Sequence, residues 1–191
     1  MNYYFSFDVE SVGLFGEPFA VGWVVVDQEG TELDSGYAGM TPPLTDPDTE
    51  VWLAANVYPA LPEPQYTEGY RQNFSGLCAD FWEAWEQAKV DYPGIIMVCD
   101  CPFPVETNFL TQLVRERRLS MVDSPYPLID VASVLLARGL DPLKPYTRLP
   151  NELPVHNPVN DARQSARMLV EALKNVVHVE DLSNLDVPGL R

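Results

Sequence analysis

Tyr3-Tyr4-Phe5-Ser6-Phe7-Asp8-Val9-Glu10-Ser11-Val12-Gly13-Leu14 opens on aromatic, β-prone residues and runs into two carboxylates. The aromatic run reads as a buried strand. Alternate residues of a strand share a face, so Asp8 and Glu10 project to the same side. Two carboxylates that close raise each other's pKa unless a cation lies between them, and hard oxygen donors suit Mg²⁺ or Mn²⁺. The segment therefore predicts a first strand that carries a candidate metal site to its own C-terminal end.

Working outward, Leu14 to Pro18 reads as a turn and Phe19 to Val26 as a second strand. Asp27-Gln28-Glu29-Gly30 is a hairpin signal, after which Thr31 to Met40 returns as a third strand, so the chain opens as an antiparallel meander. Thr41 to Gln65 is acidic and Pro-rich, with a short helix expected over Val51 to Asn56. Between Glu68 and Val90, Phe74, Leu77, Cys78, Phe81, Trp82 and Trp85 recur at spacings of three and four, which predicts an amphipathic helix with an aromatic core stripe. Ile95 to Cys99 is an apolar run of strand length. A helix should follow with Pro104 at its first position and Arg118 at its end, then a short strand over Tyr126 to Ile129 and a helix from Val131 to Arg138 closed by Gly139. A Pro-rich loop, Leu140 to Val155, leads to a last helix that opens through His156-Asn157-Pro158-Val159-Asn160-Asp161 and runs to about Asn175. Strands first, then strand and helix in alternation, predict an α/β domain over residues 1–178 with a mixed central sheet, followed by a tail over 179–191.

With 191 residues, 46% of them hydrophobic, the chain suffices for one well-buried domain. No apolar stretch of membrane-spanning length and no leader pattern is visible, so a soluble, cytoplasmic protein with no membrane partner is expected. Cys78, Cys99 and Cys101 have no zinc-type spacing, and Cys99 and Cys101 read as buried thiols. A net charge of -16 argues against non-specific binding of nucleic acid. The charge is unevenly spread: residues 1–70 hold no Lys or Arg against twelve Asp and Glu, whereas 111–174 hold nine basic residues against seven acidic ones. Contacts to a polyanion would come from the C-terminal half.

Acids stand beside strand ends or helix starts at three places: Asp8 with Glu10, the segment Asp100 to Glu106, and Asp161 behind His156. Strand ends and helix N-termini can meet at one sheet edge, so a centre of several carboxylates is plausible from the layout. His156 precedes Pro158 in a loop, while Asp161 falls in the first helical turn, which would set a mobile imidazole over a metal held by a rigid aspartate. His178 has no acidic constellation and reads as structural or exposed. Asp8-x-Glu10-Ser11-x-Gly13-Leu14 resembles the D-x-E-[TS]-x-G-L motif of the DEDDh 3′-to-5′ exonucleases, which include oligoribonuclease, RNase T and the proofreading subunit of DNA polymerase III. His156-x-x-x-x-Asp161-Ala162 is similar to that family's H-x-x-x-x-D-A motif. The middle motif departs from the pattern. Where relatives have F-D-x-x-F-L, this chain has Val105-Glu106-Thr107-Asn108-Phe109-Leu110, and Asp100 lies six positions before Glu106, so either acid could be the middle ligand.

The resemblance implies a ribonuclease H-like fold, a mixed five-stranded sheet flanked by helices. It implies two divalent ions, Mg²⁺ or Mn²⁺, held by Asp8, Glu10, Asp161 and either Asp100 or Glu106, with His156 as general base. The implied reaction releases nucleoside 5′-monophosphates from the 3′ end of single-stranded RNA or DNA. Ser11 and Gly13 would lie against the substrate, and Leu14, Phe15 and Phe103 would pack on its terminal bases. Several relatives form dimers, and the helix through Trp82 and Trp85 could spare a face for a homodimer. Two rival readings accompany this one: an exonuclease-fold binding module that acts through a protein partner, and a metal-dependent phosphodiesterase for small nucleotides.

Overall fold

The computed structural model describes residues 2–62, 69–120 and 122–174. His178 and the expected boundary after residue 178 lie outside the described residues. The first three strands, β1 (Tyr3–Ser11), β2 (Pro18–Asp27) and β3 (Glu32–Met40), form the antiparallel meander that the turn residues predict. α1 (Pro47–Asn56) is capped by Asp46, whose side chain accepts from the amides of Asp48 and Thr49 at 3.1 and 3.0 Å. β4 (Tyr70–Arg71) then adds to β3 in parallel. α2 (Phe74–Asp91), β5 (Ile96–Cys99), α3 (Val105–Arg117), β6 (Leu128–Asp130), α4 (Val131–Ala137) and α5 (Pro158–Leu173) complete the order.

The sheet has six strands in the order β4-β3-β2-β1-β5-β6, one more than expected. The extra strand, β4, is only two residues long, and a pair of residues carries no legible period. It also displaces the start of the aromatic helix, which begins at Phe74 behind an Asn73 cap rather than near Glu68. Pro104 stands one place outside α3 as its N-cap residue instead of opening the helix.

β1 sorts its side chains by the alternation of a strand. Phe5, Phe7 and Val9 enter a core shared with α2 and α3, while Tyr4 enters a second core on the opposite face, shared with α4 and α5. Phe81 of α2 meets Phe5, Phe7 and Phe109 with ring centroids 5.6, 5.2 and 5.1 Å apart, so truncating it to Ala should cost about 3–5 kcal/mol. Trp82 and Trp85 are buried in that same core.

Two packing details place the site. β5 runs parallel beside β1, pairing Tyr4 with Ile96 and Ser6 with Val98, so both strands end at one edge and α3 starts above it. On β2, Gly22 lies opposite Asp8, and the start of α5 presses on it so closely that an added Cβ would stand 2.3 Å from the Val159 nitrogen. Only glycine lets the helix N-terminus settle over that part of the sheet. Asn157 caps α5 through the amides of Val159 and Asn160, and its Nδ2 donates to the Ala60 carbonyl at 2.9 Å. Leu53 and Val57 hold α1 against Phe19 and Ala20 of β2.

Candidate metal centre

Asp8 and Glu10 follow Tyr4 in the alternation and face the α5 side of β1. The tight contact at Gly22 brings Asp161, in the first turn of α5, over the same place. Asp161 is fixed through both oxygens: Oδ2 accepts from the His156 amide at 3.0 Å, and Oδ1 accepts from the Arg148 guanidinium. His156 reaches back to β1, with Nδ1 3.5 Å from Glu10 Oε1. Its backbone φ of 63° turns the loop sharply ahead of α5 and directs the imidazole toward β1. Ligand atoms of Glu10, His156 and Asp161 all lie within 4.8 Å of one another.

The middle segment supplies Glu106. This residue is buried at the start of α3, close enough to Asp8 and Glu10 for the three carboxylates to act on one another. Glu106 therefore stands beside the pair. Burial first, and then the neighbouring acids Glu10 and Asp100, raise its pKa to about 8. Asp100 faces Asp130, the N-cap of α4; burial and that carboxylate raise its pKa, and its Oδ1 is buried with no hydrogen-bond partner. The structure thus brings Asp8, Glu10, His156 and Asp161 to one cavity, with Glu106 beside Asp8 and Asp100 facing Asp130.

Electrostatics show how crowded this centre is. Asp8 titrates well above an ordinary carboxylate because of burial and then of Asp161, Glu106 and Glu10, with Arg148 opposing. Burial also raises Glu10 and Asp161, against the pull of His156 on the first and Arg148 on the second. The hydrogen bond to Glu10 raises His156 in turn. A cluster of carboxylates raised chiefly by burial, with an imidazole beside them, has the donor chemistry of a hard divalent cation.

A cavity of about 460 Å³ opens onto these groups, lined by Asp8, Glu10, Ser11, Gly13, Leu14, Trp52, His156 and Asp161 among others. Ser11 Oγ donates to the Gly13 carbonyl at 2.8 Å, and Asn108 Nδ2 of α3 donates to the Gly16 carbonyl at 3.1 Å, so the loop after β1 is tied at both ends. That loop presents Leu14 and Phe15 at 66% and 77% exposure, and Phe15 meets the 75% exposed Phe103 edge-on at 6.2 Å. Phe103 is therefore a surface group beside the cavity, not core. Cys101, expected to be buried, is exposed, whereas Cys99 is buried.

Three participants went unassigned in the sequence. Trp52 of α1 lies edge-to-face with His156 at 5.4 Å, and Arg148 pairs with Asp161. Glu152, fully buried in a short 3₁₀ turn, holds the loop that carries Arg148. No local pattern marks Arg148 and Glu152, which lie in a Pro-rich connection whose course depends on packing, and nothing in α1 itself shows that Trp52 will meet His156.

No protein-family model matches the sequence, and no curated protein matches it significantly. Solved structures do share its fold. The zinc-bound E. coli exonuclease I–ssDNA complex aligns over 88% of this chain and 39% of that one, at 12% identity and a TM-score of 0.59. Exonuclease I from Methylocaldum szegediense aligns over 91% and 40%, at 14% identity and a TM-score of 0.57. A product-bound exonuclease I aligns over 90% and 45%, at 11% identity and a TM-score of 0.57. The chain is a mixed α/β domain that shares the fold of these exonucleases. It spans between 39% and 45% of the length of those chains.

Proposed function

We propose that the chain is a metal-dependent 3′-to-5′ exonuclease that hydrolyses single-stranded RNA or DNA from the 3′ end to nucleoside 5′-monophosphates. The observation that carries this reading is the meeting of Asp8, Glu10, Asp161 and His156 at one cavity, with the buried Glu106 beside Asp8. Asp8, Glu10, Asp161 and Glu106 would hold two Mg²⁺ or Mn²⁺ ions. When bound, such ions activate the attacking water and neutralise charge at the phosphoryl centre and the leaving 3′ oxygen. His156 acts as general base. With Nδ1 turned to Glu10, its Nε2 is the ring atom left to take the water's proton, and Glu10 stabilises the imidazolium that forms. Trp52 limits rotation of the ring from its exposed side. Leu14, Phe15 and Phe103 give the terminal bases an apolar surface that accepts any sequence, with Ser11 and Gly13 shaping the loop beneath.

Among the described residues no helix is long and apolar enough to cross a membrane. The free thiols Cys78, Cys99 and Cys101 fit a reducing, cytoplasmic setting. The alternative, a binding module acting through a protein partner, draws support from Arg148, which gives Asp161 a counter-charge without metal. Degradation of 5′-labelled single-stranded RNA and DNA oligonucleotides with Mg²⁺ or Mn²⁺ separates the two. A ladder shortening from the 3′ end, abolished in Asp8→Ala and His156→Ala, is the expected result. Absence of cleavage by folded protein with either metal would favour the module.

A further inference from the structure

Arg148 occupies a built position. Its Nη1 donates to Asp161 Oδ1 and, at 3.0 Å, to the Glu152 carbonyl. The backbone on either side of it is clamped: Arg167 Nη2 donates to the Thr147 carbonyl at 3.0 Å, and the Leu149 amide donates to Glu152 Oε2 at 2.8 Å. Arg167 and Glu152 are themselves paired twice, at 2.6 and 2.9 Å, with the Glu152 carboxylate buried. An arginine on an ordinary surface loop has no such scaffolding; here α5 supplies both Asp161 and the Arg167 that aims Arg148 at it. The Asp161–Arg148 pair is also well shielded, with side-chain exposures of 14% and 19%.

Both Asp161 oxygens are engaged, one by the His156 amide and one by Arg148. A divalent ion that takes Asp161 as a ligand must share or replace the guanidinium on Oδ1. We infer that Arg148 is the resident counter-cation of the centre: it holds Asp161 in position without metal and gives up that oxygen when a divalent ion binds, so that Arg148 sets how much metal the centre requires. The inference rests on the metal-centre reading above. It assigns Arg148 a positioning role that opposes metal binding, the reverse of what a purely structural support would do.

The test is Mn²⁺ binding to the full chain, wild type against Arg148→Met, followed by calorimetry and by the paramagnetic signal of free Mn²⁺. Melting temperatures in EDTA are measured alongside. The variant should bind Mn²⁺ roughly tenfold more tightly, the order of one charge-assisted hydrogen bond, and should melt at a lower temperature in EDTA. Equal or weaker Mn²⁺ binding by Arg148→Met, with wild type still binding, overturns the inference while leaving the metal centre intact. An unchanged melting temperature in EDTA overturns the claim that Arg148 steadies the metal-free centre. Mn²⁺ left free by both proteins removes the metal-centre reading and this inference with it. Should Arg148→Met fail to fold, Arg148→Lys decides, since it keeps a charge but loses the planar fork; its affinity should rise a few-fold, and an affinity equal to wild type overturns the inference.

Discussion

Glu106 and Asp100 divide at the level of single side chains. Both are acids of the middle segment, but Glu106 is among the acids that raise Asp8, whereas Asp100 faces Asp130. Replacing Glu106 by Gln should weaken Mn²⁺ binding and cleavage by roughly 10–100-fold, whereas Asp100→Asn should stay within a few-fold of wild type. Isothermal titration with Mn²⁺ checks both, and equal losses would show that Asp100 serves the centre as well. Glu106 also predicts a pH dependence. Its pKa is about 8 in the folded chain against an ordinary 4.5, so between those values the folded state keeps a proton that the unfolded state releases. Metal-free protein should therefore lose stability as pH rises from 5 to 8. Asp8, Glu10, Asp161 and His156 are shifted upward too and act in the same sense. Melting temperatures in EDTA across that range should fall, Glu106→Gln should flatten the trend, and Mn²⁺ should reverse it because ligation displaces the protons. A rising trend in EDTA would contradict the crowding of anions at this centre.

At the scale of elements, the seating of α5 on β2 decides whether the site exists. Gly22→Ala puts a methyl group where Val159 and Pro158 now lie, so it should destabilise the fold by about 1–3 kcal/mol and move Asp161 away from Asp8. Denaturant melts and Mn²⁺ affinity report the two effects separately, and a stable variant with unaltered Mn²⁺ affinity would show that the contact is not needed. The loop of residues 147–153 depends on the buried pair of Glu152 and Arg167. Burial would raise the Glu152 carboxyl, but hydrogen bonds from Arg167 and the Leu149 amide outweigh it and hold the pKa below its ordinary value. The stability it contributes is present above the ordinary glutamate pKa and is lost in more acidic solution, outside the window in which Glu106 acts. Removing the carboxylate with Glu152→Ala should cost about 3 kcal/mol, at the lower end for a buried pair because Arg167 keeps 22% of its side chain exposed.

Over the whole molecule, charge and apolar surface divide the work of binding. With a net charge of -16, the chain has little long-range attraction for a polyanion. Affinity for an oligonucleotide should then depend on Leu14, Phe15 and Phe103 beside the cavity more than on phosphate contacts. The double variant Leu14→Ala, Phe103→Ala should raise KM for a single-stranded oligonucleotide by roughly ten- to hundredfold, on the order of one or two lost stacking contacts. Its turnover of a mononucleotide diester should change little. If both substrates suffer equally, the exposed residues support the catalytic centre rather than the bases; if the oligonucleotide is unaffected, the chain acts on small diesters.

The strand meander, the aromatic stripe of α2 and the helix behind His156 were legible in the sequence because their side chains repeat with the period of the element that carries them. Asp8, Glu10, His156 and Asp161 could be singled out for a related reason: each stands at a fixed offset from a strand or helix end. The choice between Glu106 and Asp100 is a tertiary matter, since it turns on which carboxyl stands beside Asp8, nearly a hundred residues earlier. Tertiary structure alone revealed β4, whose two residues form a strand only because β3 offers an edge to pair with. It also placed Arg148 and Glu152, which come from a Pro-rich connection with no period of its own, and Trp52, whose helix is seated by contacts with β2. Periodicity reports which face of an element is buried, but not which distant group that face will meet.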